Sequence, residues 1–153
     1  MYTGGGSKMD KNKLDINIVP LYNYSMDIII DASCVIAVLL REIEGTKVIK
    51  ATKGTNLISA ACLPYEVGNS LTSAVKRNRI SPEDAVLIYK EYMKIPIRLI
   101  EPNISKALRI AAEEGQYAYD AYYIACAIDT GIPLYSLDQD MIRFAEKRGV
   151  KCL

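Results

Sequence analysis

Asp120 and Asp138 stand eighteen positions apart. The first lies in the run Tyr119-Asp120-Ala121-Tyr122-Tyr123-Ile124-Ala125-Cys126-Ala127, the second just past Ile132-Pro133-Leu134-Tyr135-Ser136. Asp31 closes the run Asp27-Ile28-Ile29-Ile30, and Glu66 follows Pro64 in a segment whose Leu63, Val67, Leu71, Ala74 and Val75 recur at helical spacing. Carboxylates share a rim only against mutual repulsion, which a divalent cation offsets. The chain contains no histidine. That removes Ser-His-Asp and Cys-His catalysis, histidine acid–base chemistry and His-containing zinc sites. The cysteines (Cys34, Cys62, Cys126, Cys152) are scattered with no C-x-x-C pair, which reads as free thiols, three of them in apolar surroundings, in a reducing compartment.

Each acid also has a purely structural reading. Glu66 and Asp120 suit the first turn of a helix, where the macrodipole favours an anion. Asp138 suits an N-cap, and Ser136-Leu137-Asp138-Gln139 resembles a capping box. Taken jointly the balance shifts toward a site. Asp31 puts a charge at the exit of an apolar strand, where Ser33 is the better-placed helix cap, and Asp120 interrupts a helix that is otherwise apolar or aromatic on most sides.

The elements that must position these acids alternate. Short apolar strands are expected at 27–31, 57–59, 97–100 and 132–136, with 150–153 able to add another; helices are expected over 34–40, 46–53, from 63, from 81, over 104–113, from 119 to a stop at Thr130-Gly131, and over 139–147. Ser81 followed by Pro82, Glu83 and Asp84 is a helix start with a cap, Pro at N1 and acids in the first turn. Strands alternating with helices predict a parallel sheet with right-handed crossovers. Continuous apolar strands suit a sheet covered on both faces.

At 153 residues the chain is read as one domain over 26–153, preceded by a flexible extension at 1–25 that begins with Gly4-Gly5-Gly6-Ser7. Ile16, Ile18, Val19 and Leu21 are able to lay part of that extension on a surface. The net charge of +1 supplies no global field toward a polyanion, so any such binding relies on local basic groups or metal. No apolar run reaches the length of a membrane span and no signal-peptide core is present, so a cytoplasmic location is expected.

Four segments in order resemble PIN-domain nucleases, and among them the VapC-type toxins: Ile29-Ile30-Asp31-Ala32-Ser33, Pro64-Tyr65-Glu66-Val67-Gly68-Asn69-Ser70-Leu71, Tyr119-Asp120-Ala121-Tyr122-Tyr123-Ile124-Ala125 and Pro133-Leu134-Tyr135-Ser136-Leu137-Asp138. The resemblance runs from about Met26 to Leu153. It implies an α/β, three-layer fold with a twisted parallel sheet of four or five strands flanked by helices. It implies further that Asp31, Glu66, Asp120 and Asp138 hold Mg²⁺ or Mn²⁺ and cleave RNA, with Ser33, Asn69, Ser136 and Asp140 in support. Ser136 stands where the family often has Thr, keeping a hydroxyl. A cognate antitoxin and a homodimer are the implied protein partners.

Lys76, Arg77 and Arg79, and Arg41, Lys47, Lys50 and Lys53, are candidates to grip phosphate, although solvent-facing helix ends explain most of them. Tyr117, Tyr119, Tyr122 and Tyr123 are candidates to stack bases, with core packing or a subunit interface the better account of at least half. Other readings stay open: a PIN-fold binding module with little activity, and a PIN-fold nuclease of RNA maturation or DNA processing. A receiver-type phosphoacceptor fits the topology but lacks a clear acid pair beside the first strand and a lysine after the last core strand.

Overall fold

The computed structural model describes residues 25–153. The expected extension, with Ile16, Ile18, Val19 and Leu21, lies outside the described residues apart from Ser25. Three consecutive isoleucines explain the first strand. In β1 (Asp27–Ile30) alternate side chains point to opposite faces, and all three isoleucines are buried. Ile29 joins one apolar cluster, Ile28 and Ile30 the other. A strand apolar on both sides belongs in the middle of a layered fold.

Beside β1 lie β2 (Asn56–Ala60), β3 (Ile97–Ile100) and β4 (Leu134–Tyr135), all parallel, in the spatial order β3-β2-β1-β4. Helices α1 (Ala32–Leu39), α3 (Leu63–Lys76) and α4 (Pro82–Tyr92) contribute Cys34, Val35, Leu63, Val67, Leu71 and Tyr92 to one cluster, together with Val48 of α2 (Gly45–Thr52). Helices α5 (Ile104–Glu114), α6 (Ala118–Thr130) and α7 (Gln139–Lys147) build the other around Ile110, Tyr123, Ile124, Met141 and Phe144. The α/β three-layer class expected from the sequence is the observed one, with four strands.

The fifth strand is reduced to a single parallel bridge between Cys152 and Leu134, closed by Leu134 N to Lys151 O (2.9 Å) and Leu153 N to Leu134 O (3.0 Å). The expected 132–136 strand likewise contracts to two residues. Pro133 has no N–H to donate to a ladder, and Ser136 turns its hydroxyl onto Asp31. Gly45 permits α2 to press on α1, since a Cβ there would stand 2.5 Å from the Ala37 carbonyl oxygen. Gly131 closes α6 in the left-handed conformation at φ 69°, as the Thr130-Gly131 stop predicts.

The strand order carries the functional consequence. β1 leads to β2 on one side, whereas its other neighbour is β4, the last strand in sequence. The loops leaving β1 and β4 therefore diverge at a topological switch point, where open α/β sheets form crevices.

Candidate active site

All four candidate acids sit at helix beginnings. Asp31 is the N-cap of α1, with extended backbone, and its carboxylate accepts from Cys34 N at 3.3 Å. Asp138 is the N-cap of α7, accepting from Asp140 N at 2.8 Å and Met141 N at 3.3 Å. Glu66 and Asp120 occupy the first turns of α3 and α6. Orphan N–H groups and the positive end of each helix dipole make these the least unfavourable places for unpaired carboxylates.

The expectation that Ser33 caps α1 is corrected. The helix starts at Ala32, so the residue still in extended conformation, Asp31, takes the cap. Ser33 serves the site instead, donating to Asp31 Oδ1 at 2.6 Å and accepting from Leu137 N at 3.1 Å. Ser136 donates to Asp31 Oδ2 at 2.5 Å and accepts from Asp138 N at 3.0 Å. One buried carboxylate thus ties the end of β1 to the loop after β4, and both of its oxygens are held in fixed orientation. Ser136 with Asp138 forms no capping box; the Asp138 carboxylate caps alone.

The electrostatics join the four acids. Burial raises the Asp31 carboxyl above its ordinary range, against the lowering effect of its hydroxyl and amide donors. Burial also raises Glu66, with smaller upward pushes from the charges of Asp31 and Asp120. Asp120 is pushed up to about 6, by burial first and then by Asp138, Asp31 and Asp140. Among the described residues none of Asp31, Glu66, Asp120 and Asp138 forms an ion pair with Lys or Arg. Asp140 does, with Arg143.

Two neighbours escape the sequence reading. The Cys62 thiol donates to Glu66 Oε1 at 3.2 Å and is itself pushed up to about 12 by burial and by that carboxylate, so it is a neutral donor. Tyr123, 1% exposed, has a buried hydroxyl without a hydrogen-bond partner, and its strong upward shift, from burial and then the Glu66 charge, places it beside Glu66. The four-residue spacing of Cys62 and Glu66 across the start of α3 is the signal that could have paired them. Tyr123 is accordingly a core residue and not a base-stacking one. Asn69 is exposed on α3, and among the described residues no side-chain hydrogen bond links it to the acids.

The donors suit a hard dication: carboxylate oxygens, neutral hydroxyls and no imidazole. Among the described residues, however, no three His, Cys, Asp or Glu side chains stand close enough together to hold a metal ion as placed. The acids meet at electrostatic range, with Asp31 committed to two serines and Glu66 to Cys62. Among the described residues no helix is long and apolar enough to cross a membrane.

The chain is similar to ribonuclease VapC12 of Mycobacterium tuberculosis, 25% identical over 124 residues that make up 80% of this chain and 92% of that protein. Its fold is similar to the crystal structure of PAE2754 from Pyrobaculum aerophilum, with a TM-score of 0.61 at 24% identity over 78% of this chain and 86% of that one. It is also similar to M. tuberculosis VapC20, a sarcin-ricin loop cleaving toxin, with a TM-score of 0.56 at 15% identity over 76% of this chain and 93% of that one. The PIN domain profile matches residues 28–147, from the first strand to the last helix and across all four acids, and the chain belongs to the PIN domain family.

Proposed function

We propose that this chain is a divalent-metal-dependent endoribonuclease and the toxin of a type II toxin–antitoxin pair. The observation that carries the reading is the meeting of four acids at one sheet edge, with burial raising three of them, the charges of the other acids adding to it at Glu66 and Asp120, and no Lys or Arg ion-paired to the four among the described residues. Acids gathered and raised in this way are a recurrent mark of a functional site, and a bound cation would supply the missing charge. Asp31, Glu66, Asp120 and Asp138 would hold Mg²⁺ or Mn²⁺, which when bound supplies an acidified water and neutralises charge on the phosphate.

The chain's own contribution is preorganisation. Ser33 and Ser136 lock both oxygens of Asp31, so one ligand is placed before substrate arrives. Because burial raises Asp31, Glu66 and Asp120, lowering the pH would set protons against the cation at these carboxyls. The partners of this reading are RNA, a cognate antitoxin and a second copy of the chain, and its setting is the cytoplasm.

A panel of structured RNAs, incubated with and without Mn²⁺ or Mg²⁺, tests it. Cleavage by the wild type should require the metal and should be lost in Asp31→Asn and Asp120→Asn; full metal-dependent cleavage by either variant would sink the proposal. The loose spacing of the acids favours one other reading, a PIN-fold binding module with little activity. A wild type that cuts no RNA in either metal supports that alternative. Cleavage of DNA instead supports the processing nuclease.

A further inference from the structure

We infer that Tyr65, Tyr117 and Tyr119 form an aromatic rim that stacks on unpaired bases beside the reacting phosphate, and so determine which stretches of RNA the acids reach. The inference rests on the nuclease reading above. Among the eight described tyrosines these three alone are exposed, at 77%, 90% and 53%; the rest are buried or half-buried. Their placement is not scattered. Tyr65 directly precedes Glu66 in the first turn of α3, and Tyr117 and Tyr119 flank the start of α6 that carries Asp120.

Local structure does not account for them. Tyr117 is the N-cap of α6 and makes no capping hydrogen bond, at a position where Ser, Thr, Asp or Asn stabilises a helix. Tyr119 stands edge-on to Tyr122, ring centroids 5.9 Å apart and planes at 84°, so it is braced while more than half exposed.

Several of the candidate basic residues are placed elsewhere. Lys76, Arg77 and Arg79 lie at the far end of α3, about 15 Å along the axis from Glu66. Arg79 is paired with Glu42. Lys53 precedes β2 and so lies toward the opposite edge of the sheet. Arg143, near the acids, is held by Asp140. At an edge crowded with carboxylates, a substrate is held more readily by the faces of its bases than by its phosphates. Every base offers such a face when unpaired, and a duplex has already used it.

The test uses full-length protein carrying Asp31→Asn, so that RNA binds without being cut. A fluorescent ten-nucleotide oligouridine and its duplex with oligoadenosine are titrated in Mg²⁺ and read by anisotropy. The single strand should bind at least tenfold tighter than the duplex. Tyr117→Ala with Tyr119→Ala should weaken single-strand binding about tenfold to a hundredfold, Tyr65→Ala less, and the Phe variants within about threefold of the parent, with circular dichroism melts checking the fold. Ala variants that bind the single strand like the parent overturn the inference, and so do Phe variants that lose as much as Ala or a duplex bound as tightly as the single strand. Rings that serve a protein partner instead would show themselves as the first of these. Cleavage by the wild type is scored separately. A cutting enzyme with ring-independent binding overturns the rim alone, and ring-dependent binding without cutting overturns the nuclease reading.

Discussion

Two groups of acids in this protein live under opposite conditions. Between α5 and α7, Arg148 donates to Glu113 at 2.6 Å and to Glu114 at 2.7 Å, and Lys147 donates to Glu114 at 2.6 Å. The Lys147 hydrogen bond, followed by that of Arg148, holds the Glu114 carboxyl below its ordinary range. At the carboxyl edge of the sheet, Asp31, Glu66 and Asp120 are all held above theirs, burial being the largest cause for each. The first group is a latch whose opposite charges the chain itself supplies. The second is a set of charges that the chain gathers and does not neutralise. The difference separates acids whose counter-charges the chain supplies from acids for which, among the described residues, it supplies none.

The largest expected effect comes from breaking the second group. Asp31→Asn keeps the shape of the side chain but removes its charge, and RNA cleavage in Mn²⁺ should fall by about a hundredfold or more. Next, saturating Mn²⁺ should raise the wild-type melting temperature by several degrees, since ligand at about 100 times its Kd stabilises by about 2.7 kcal/mol. Asp120→Asn should shrink that shift, whereas Arg148→Met should leave it in place, and equal shifts in both variants would erase the contrast between the two groups.

A smaller effect concerns pH in metal-free protein. Asp120 rises from 3.8 to about 6 on folding, so the folded state binds its proton more tightly than the unfolded chain. Its contribution is therefore fullest below pH 4 and is lost as pH rises through 6. Discounted for a half-exposed group, this amounts to about 1 kcal/mol. The stability difference between wild type and Asp120→Asn, measured by urea unfolding from pH 4 to 7, should move against the wild type across that window. The smallest effect belongs to the latch: Arg148→Met should lower the melting temperature at low salt, with the deficit shrinking in 1 M NaCl.

Much of the frame is legible in the sequence because its signals are local. Ser81-Pro82-Glu83-Asp84 folds into a capping box, with Ser81 accepting from Asp84 N at 3.0 Å and Asp84 accepting from Ser81 N at 3.2 Å. Thr130-Gly131 ends α6 and Gly115 ends α5, each with a left-handed glycine. Where the reading slips, a distant partner intervenes. Ser33 gives up the cap because its hydroxyl is drawn between Asp31 and Leu137 N, a residue 104 positions away. Tyr119 and Tyr123 look alike in an aromatic run, yet one is exposed and the other buried, because the face of α6 that packs on the sheet takes Tyr123.

The sequence by itself determined that strands alternate with helices, that β1 is apolar on both sides, and that Glu66, Asp120 and Asp138 stand where helices begin; that Asp31 does so too was shown by the structure. These follow from side-chain periodicity and from backbone groups that need capping, properties of a few neighbouring residues. Only the tertiary structure decided that the acids share an edge. The order β3-β2-β1-β4 sets β4 beside β1, and that pairing brings Ser136 within 2.5 Å of Asp31 across 105 positions. Strand order is decided by which apolar faces bury one another over the whole chain, and no local pattern encodes it.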